Sequence, residues 1–99
     1  MSLHGRWQIS IPTPLGRQDV LLDIVHREGP ISGTATQGDE TVPFIDPVAD
    51  GDRIQWSQRI TKPMSMVIKF DLTRDGETLT GRAKPGFLPS ISVSGTRVD

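Results

Sequence analysis

Apolar and polar residues alternate one by one along most of this chain. Trp7, Ile9 and Ile11 share one side of an extended segment, with Arg6, Gln8 and Ser10 opposite, because successive strand side chains point to opposite faces. The same alternation sets Val20, Leu22 and Ile24 together, then Ile54, Trp56 and Gln58, then Met64, Met66, Ile68, Phe70 and Leu72. Leu79, Gly81 and Ala83 follow, then Ile91 and Val93, with Phe44 contributed from an earlier segment. Turn signals between the runs predict eight short strands, over about 6–12, 18–26, 31–37, 41–46, 53–60, 64–72, 78–84 and 89–97. The strongest hairpin turns are Asp50-Gly51-Asp52 and Asp75-Gly76, since glycine and aspartate tolerate the positive φ of tight turns. No stretch combines helical periodicity with caps.

The chain repeats itself. Arg6-Trp7-Gln8-Ile9-Ser10 aligns with Arg53-Ile54-Gln55-Trp56-Ser57, and Ile31-Ser32-Gly33-Thr34-Ala35 with Leu79-Thr80-Gly81-Arg82-Ala83. Between them Val20, Leu22 and Ile24 correspond to Met66, Ile68 and Phe70. Three blocks in one order at nearly one offset read as a duplicated four-strand unit. The expected fold is all-β: an antiparallel eight-stranded up-and-down meander. It forms either a small closed barrel or a half-barrel sheet completed by dimerisation. Gly33 and Gly81 fit strands that bend sharply as the sheet curls.

Composition narrows the function. The 99 residues suit one domain, 1–99, with Met1-Ser2-Leu3 read as a cloning remnant because the pattern begins at Gly5. The chain has no cysteine, which excludes disulfides, thiolate metal sites and a cysteine nucleophile, and no asparagine to glycosylate. Eleven basic and twelve acidic residues give a net charge of −1 without runs of either sign, so no nucleic-acid partner is expected. No apolar run reaches the length of a membrane span and no signal-peptide core is visible. Cytoplasmic is the default location, with a trimmed native leader as the alternative.

Catalytic candidates are few. His4 and His26 are the only histidines; a zinc site would need both, with Asp23 or Asp46, at a spacing that matches no metal motif. Asp46 through Asp52 (DPVADGD) lacks the ligand spacing of a calcium loop and reads as a hairpin turn. Ser90, Ser92 and Ser94 alternate with apolar residues as outward strand positions do. No catalytic residue, metal or cofactor is assigned.

The opening Gly5-Arg6-Trp7 and the closing Gly95-Thr96-Arg97 resemble the lipocalin and fatty-acid-binding-protein superfamily, the calycins. The chain is also similar to small β-meander domains found alone or behind some bacterial hydrolases, with their G-x-W start, "DGD" hairpins and closing "G-T-R". The resemblance implies a structural latch in which Arg97 packs across Trp7 where the first and last strands meet. It also implies a non-enzymatic module that binds a small apolar ligand in the barrel or at a dimer seam. The binding residues would be Trp56, Met66, Phe70, His26 and Phe44. Leu21, Val25 and Val67 face outward and favour the alternative of an interaction or assembly domain, including a homodimer. A third reading is an isomerase or hydrolase using His26 with Asp23 or Asp46.

Overall fold

The computed structural model of the chain describes residues 3–13, 16–27, 29–61, 65–86 and 88–98. Among the described residues nine strands run in chain order: β1 (Gly5–Thr13), β2 (Gly16–Val25), β3 (Ser32–Gln37), β4 (Glu40–Pro43), β5 (Ile45–Asp50), β6 (Arg53–Ile60), β7 (Met66–Asp75), β8 (Thr78–Pro85) and β9 (Ile91–Arg97). They form one antiparallel sheet in the order β4-β3-β2-β1-β9-β8-β7-β6-β5. Every ladder joins neighbours in the chain except that of β1 with β9, where Trp7 lies opposite Arg97 and Ser10 opposite Ser94. The sheet therefore curls into a nearly closed up-and-down barrel within one chain.

The expected inward residues line the interior. Trp7, Ile9, Leu22, Ile24, Ile54, Leu72 and Leu79 are completely buried, and Met66 and Ile91 pack half-buried against them. Met64 lies outside the described residues. Leu3, which precedes the first strand, is also part of the core, at 1% exposure. Its carbonyl accepts the Trp7 Nε1–H at 2.9 Å, so the indole N–H that burial would otherwise strand is satisfied.

The structure corrects the strand count at one place. The segment expected as a single strand over 41–46 is two strands, and β5 continues to Asp50, so most of DPVADGD is strand and only Gly51-Asp52 turns. The extended chain changes partners at Phe44. Before it, Thr34 opposes Pro43 and Gln37 opposes Glu40; after it, Ile45 opposes Ser57 and Asp50 opposes Arg53. Phe44 itself still donates its backbone N–H to the Gly33 carbonyl at 2.9 Å. β4 and β5 thus occupy the two edges of the sheet. Pro47 is tolerated because β5 is an edge strand with a bulge between Ile45 and Val48, where Asp46 adopts φ 49°. A side-chain bridge helps to tie β4 toward β6: Thr61 Oγ1 donates to the Glu40 carboxylate at 2.9 and 3.2 Å.

The two halves repeat in three dimensions. A Cβ placed on Gly33 would meet Asp23 O at 2.8 Å, and one on Gly81 would meet Asp71 O at 2.0 Å, so at both positions a side chain would force the neighbouring strand to shift. Ala35 and Ala83, two residues on, are both buried. Arg6 pairs with Asp23 at 3.8 Å, and its counterpart Arg53 pairs with Asp71 at 2.6 Å.

Candidate functional site

Alternation along β6 and β7 brings Trp56 and Phe70 inward as direct register partners. Their rings stack at 4.7 Å between centroids and 6° between planes. Phe44 enters from the β4–β5 junction and covers the other face of Trp56, at 4.5 Å and 19°. Gly33 makes room for it, since a Cβ there would lie 2.6 Å from Phe44 Cε2. Three rings thus form a continuous offset stack, a favoured aromatic geometry worth about 0.5–1.5 kcal/mol per pair beyond burial. Trp56 and Phe70 are 3% and 2% exposed, and Phe44, at one end of the stack, is the most exposed at 8%. Gln58, a buried polar residue, accepts the Trp56 Nε1–H through Oε1 at 3.0 Å and fixes the edge of the central ring. Alternation along β6 predicts an inward Gln58, and a polar residue on an otherwise apolar strand face, two positions after a tryptophan, is the sequence signal of this bond.

The other two expected binding residues are not part of this stack. Met66 begins β7 opposite Ile60 at the end of β6, whereas His26 follows β2 at the end where β1 starts. The antiparallel register places these positions at opposite ends of the barrel.

His26's end of the barrel carries the latch residues. The Arg97 Cζ sits 4.2 Å from the centroid of the Trp7 ring. Its Nη1 donates to the His4 carbonyl at 2.7 Å, and its Nε lies 3.0 Å from Glu77 Oε2. Nearby, the His26 backbone N–H approaches His4 Nδ1 at 3.1 Å and Arg27 Nε approaches His4 Nε2 at 3.2 Å. A ring nitrogen that carries a proton cannot accept, so any one tautomer of His4 satisfies only one of these two contacts. Asp23 lies on the opposite face of β2 from His26, exposed and paired with Arg6. Among the described residues no three histidine, aspartate or glutamate side chains gather to hold a metal ion.

The outer face of β6–β8 holds an open groove of about 500 Å³. Gln55, Ser57, Lys69, Asp71, Arg82 and Lys84 line it, with Asp46 and Ser90 also bordering it. Arg53 grips Asp71 with two bonds, Nε to Oδ1 at 2.9 Å and Nη2 to Oδ2 at 2.6 Å. The hydrogen bond from Arg53 holds the Asp71 carboxyl below its usual range, and the same pairing raises the Arg53 guanidinium. The juxtaposition of the groove's lysines depends on strand register and is not legible from residue type.

Among the described residues no helix is long and apolar enough to cross a membrane. Comparison with known protein families, curated proteins and solved structures finds no match.

Proposed function

We propose that the domain is a non-enzymatic binding module of lipocalin-like kind that takes a small, flat apolar ligand against Trp56. The observation that carries this reading is the three-ring stack. Its terminal ring, Phe44, stands where the chain changes strand partners rather than inside an unbroken ladder. A flat ligand that displaced Phe44 would inherit the ring's stacking on Trp56 and most of its apolar surroundings. The likeness to calycins rests on Gly5-Arg6-Trp7 and Gly95-Thr96-Arg97 and on the nearly closed barrel between them.

The test is titration with indole and naphthalene, read by tryptophan fluorescence. Saturable quenching is expected in the wild type and, more tightly, in Phe44→Ala, where the vacated ring volume is open. The response should vanish in Trp56→Phe, which keeps only Trp7 as reporter. Silence in both the wild type and Phe44→Ala rejects the reading. A response confined to Phe44→Ala rejects it as well, because the slot would then be a product of the substitution.

The second reading is an interaction or assembly module, including a homodimer. It is favoured by outward apolar residues: Val48 is 57% exposed and Val25 49%, with Ile45, Val67 and Leu21 also exposed. Light scattering at high concentration tests it, and a strictly monomeric species would count against the homodimer.

A further inference from the structure

The outer groove on β6–β8 has a feature that strand pairing alone does not favour. Lys69 and Lys84 are direct cross-strand partners on the same outward face. Like charges directly opposite one another destabilise an antiparallel pair. Ser57 is the register partner of Lys69 on its other side, and Ser90 borders the groove beyond Lys84. Arg82 stands one step along β8 on the same face, opposite Ser92 on one side and Asp71 on the other. Among the described residues Lys69 and Arg82 make no hydrogen bond or ion pair, and Lys84 reaches only the Leu88 carbonyl at 3.5 Å. The nearest carboxylate in register, Asp71, is already committed to Arg53.

Three cations that bond no carboxylate, flanked by serine hydroxyls in a concave surface, form the complement of a compact oxyanion. Ammonium groups supply point charge, a guanidinium supplies two parallel donors, and hydroxyls complete the shell. The geometry points to an anion-binding site on the outer face of β6–β8, centred on Lys69, Lys84 and Arg82, that takes the phosphate group of a small molecule. Asp46, held on the β5 bulge at φ 49°, borders the same groove. Its carboxylate borders the positive cluster, so the site suits one isolated phosphate rather than the continuous charge of a nucleic-acid backbone. Its charged side chains lie on the reverse face of β6 and β7 from the inward rings of Trp56 and Phe70, two residues that also border the groove.

The experiment follows backbone amide shifts of the isotope-labelled full chain by NMR at constant ionic strength. Its arms are inorganic phosphate, glycerol phosphate, chloride as a screening control and vesicles containing phosphatidic acid. Saturable shifts are expected at Ser57, Lys69, Arg82 and Lys84 with both soluble phosphates and not with chloride. Lys69→Gln should weaken the apparent affinity by about tenfold, the loss expected for one charge-assisted hydrogen bond, and Arg6→Gln should leave it unchanged. Binding to vesicles without response to the soluble phosphates would move the site to a lipid headgroup and overturn the small-molecule assignment. Equal shifts with chloride, or undiminished shifts in Lys69→Gln, would overturn the site itself. Thermal melts give an independent readout. Phosphate should raise Tm in the wild type but less in Lys69→Gln, and without phosphate Lys69→Gln should melt at or above the wild type because the lysine repulsion is gone. Equal phosphate stabilisation of both proteins would reject the proposal.

Discussion

The Arg97 guanidinium carbon lies over the ring of Trp7, its direct partner across the ladder of the last and first strands, 4.2 Å from the ring centroid. The arginine side chain is only 15% exposed, and it also bonds the His4 carbonyl and Glu77. One side chain therefore ties the ring, the segment before β1 and the turn before β8. A cation over a ring contributes about 0.5–2 kcal/mol and a bond to a charged donor about 1.5–3 kcal/mol. Arg97→Ala should lower stability by about 2–3 kcal/mol in urea unfolding. Arg59→Ala, an exposed position on β6, should stay within about 0.5 kcal/mol of the wild type.

Gln58 offers a cleaner separation of packing from hydrogen bonding. Gln58→Leu keeps the volume but leaves the Trp56 Nε1–H without its acceptor, and an orphaned buried donor costs about 1–3 kcal/mol. Removing the donor as well, in Gln58→Leu with Trp56→Phe, should cost less than the two single changes summed. Additivity of the two in a double-mutant cycle would mean that the bond contributes nothing.

Gly33→Ala tests how the end of the aromatic stack is seated. The new Cβ would lie 2.6 Å from Phe44 Cε2, so the ring must move. A destabilisation of about 1–3 kcal/mol is expected, with a change in the near-ultraviolet circular dichroism of the stack. Because Phe44→Ala removes that obstacle, the double variant should be less destabilised than the sum by more than about 0.5 kcal/mol. The Asp23 carbonyl, 2.8 Å from the same Cβ, keeps the rescue partial.

Acid should weaken the outer face through Asp71. Its carboxyl is held below the ordinary range by the Arg53 hydrogen bond, so the unfolded chain takes up the proton first. The stabilisation is present above the unfolded value of about 3.9 and is lost as pH falls through the lower folded value. Wild-type stability should therefore fall more steeply below about pH 4.5 than that of Asp71→Asn. The difference should shrink in high salt, because the pair is exposed. Parallel pH profiles at low salt would show that the pair does not couple to folding.

Much of this architecture is legible from two-residue periodicity. The inward side chains of β1, β2 and β6 follow from alternation, and Gly51 and Gly76, with positive φ, mark two turns that the sequence names directly. The break at Phe44 is not legible, because the segment is extended on both sides of it and only the pairing partner changes. Asp46-Pro47 reads as turn chemistry, and its place in a strand depends on β5 being an edge, which is a fact of sheet order. The stacking of Phe44 on Trp56 and the pairing of Lys69 with Lys84 are likewise consequences of register. Residue type alone carries neither.

The pairing of β1 with β9 also sets the order in which the molecule can assemble. All other ladders join strands adjacent in the chain, and such hairpins form in about 1–10 μs. The closing ladder must wait for the two ends of a long segment to meet, and loop-closure entropy grows with that length. Folding should thus be paced by this last encounter, with Trp7 and Arg97 among the final contacts made. A short covalent tether between the start of β1 and the end of β9, whose backbones already touch through the Val98 N–H and Arg6 carbonyl at 3.0 Å, would convert that slow search into a local one and speed folding.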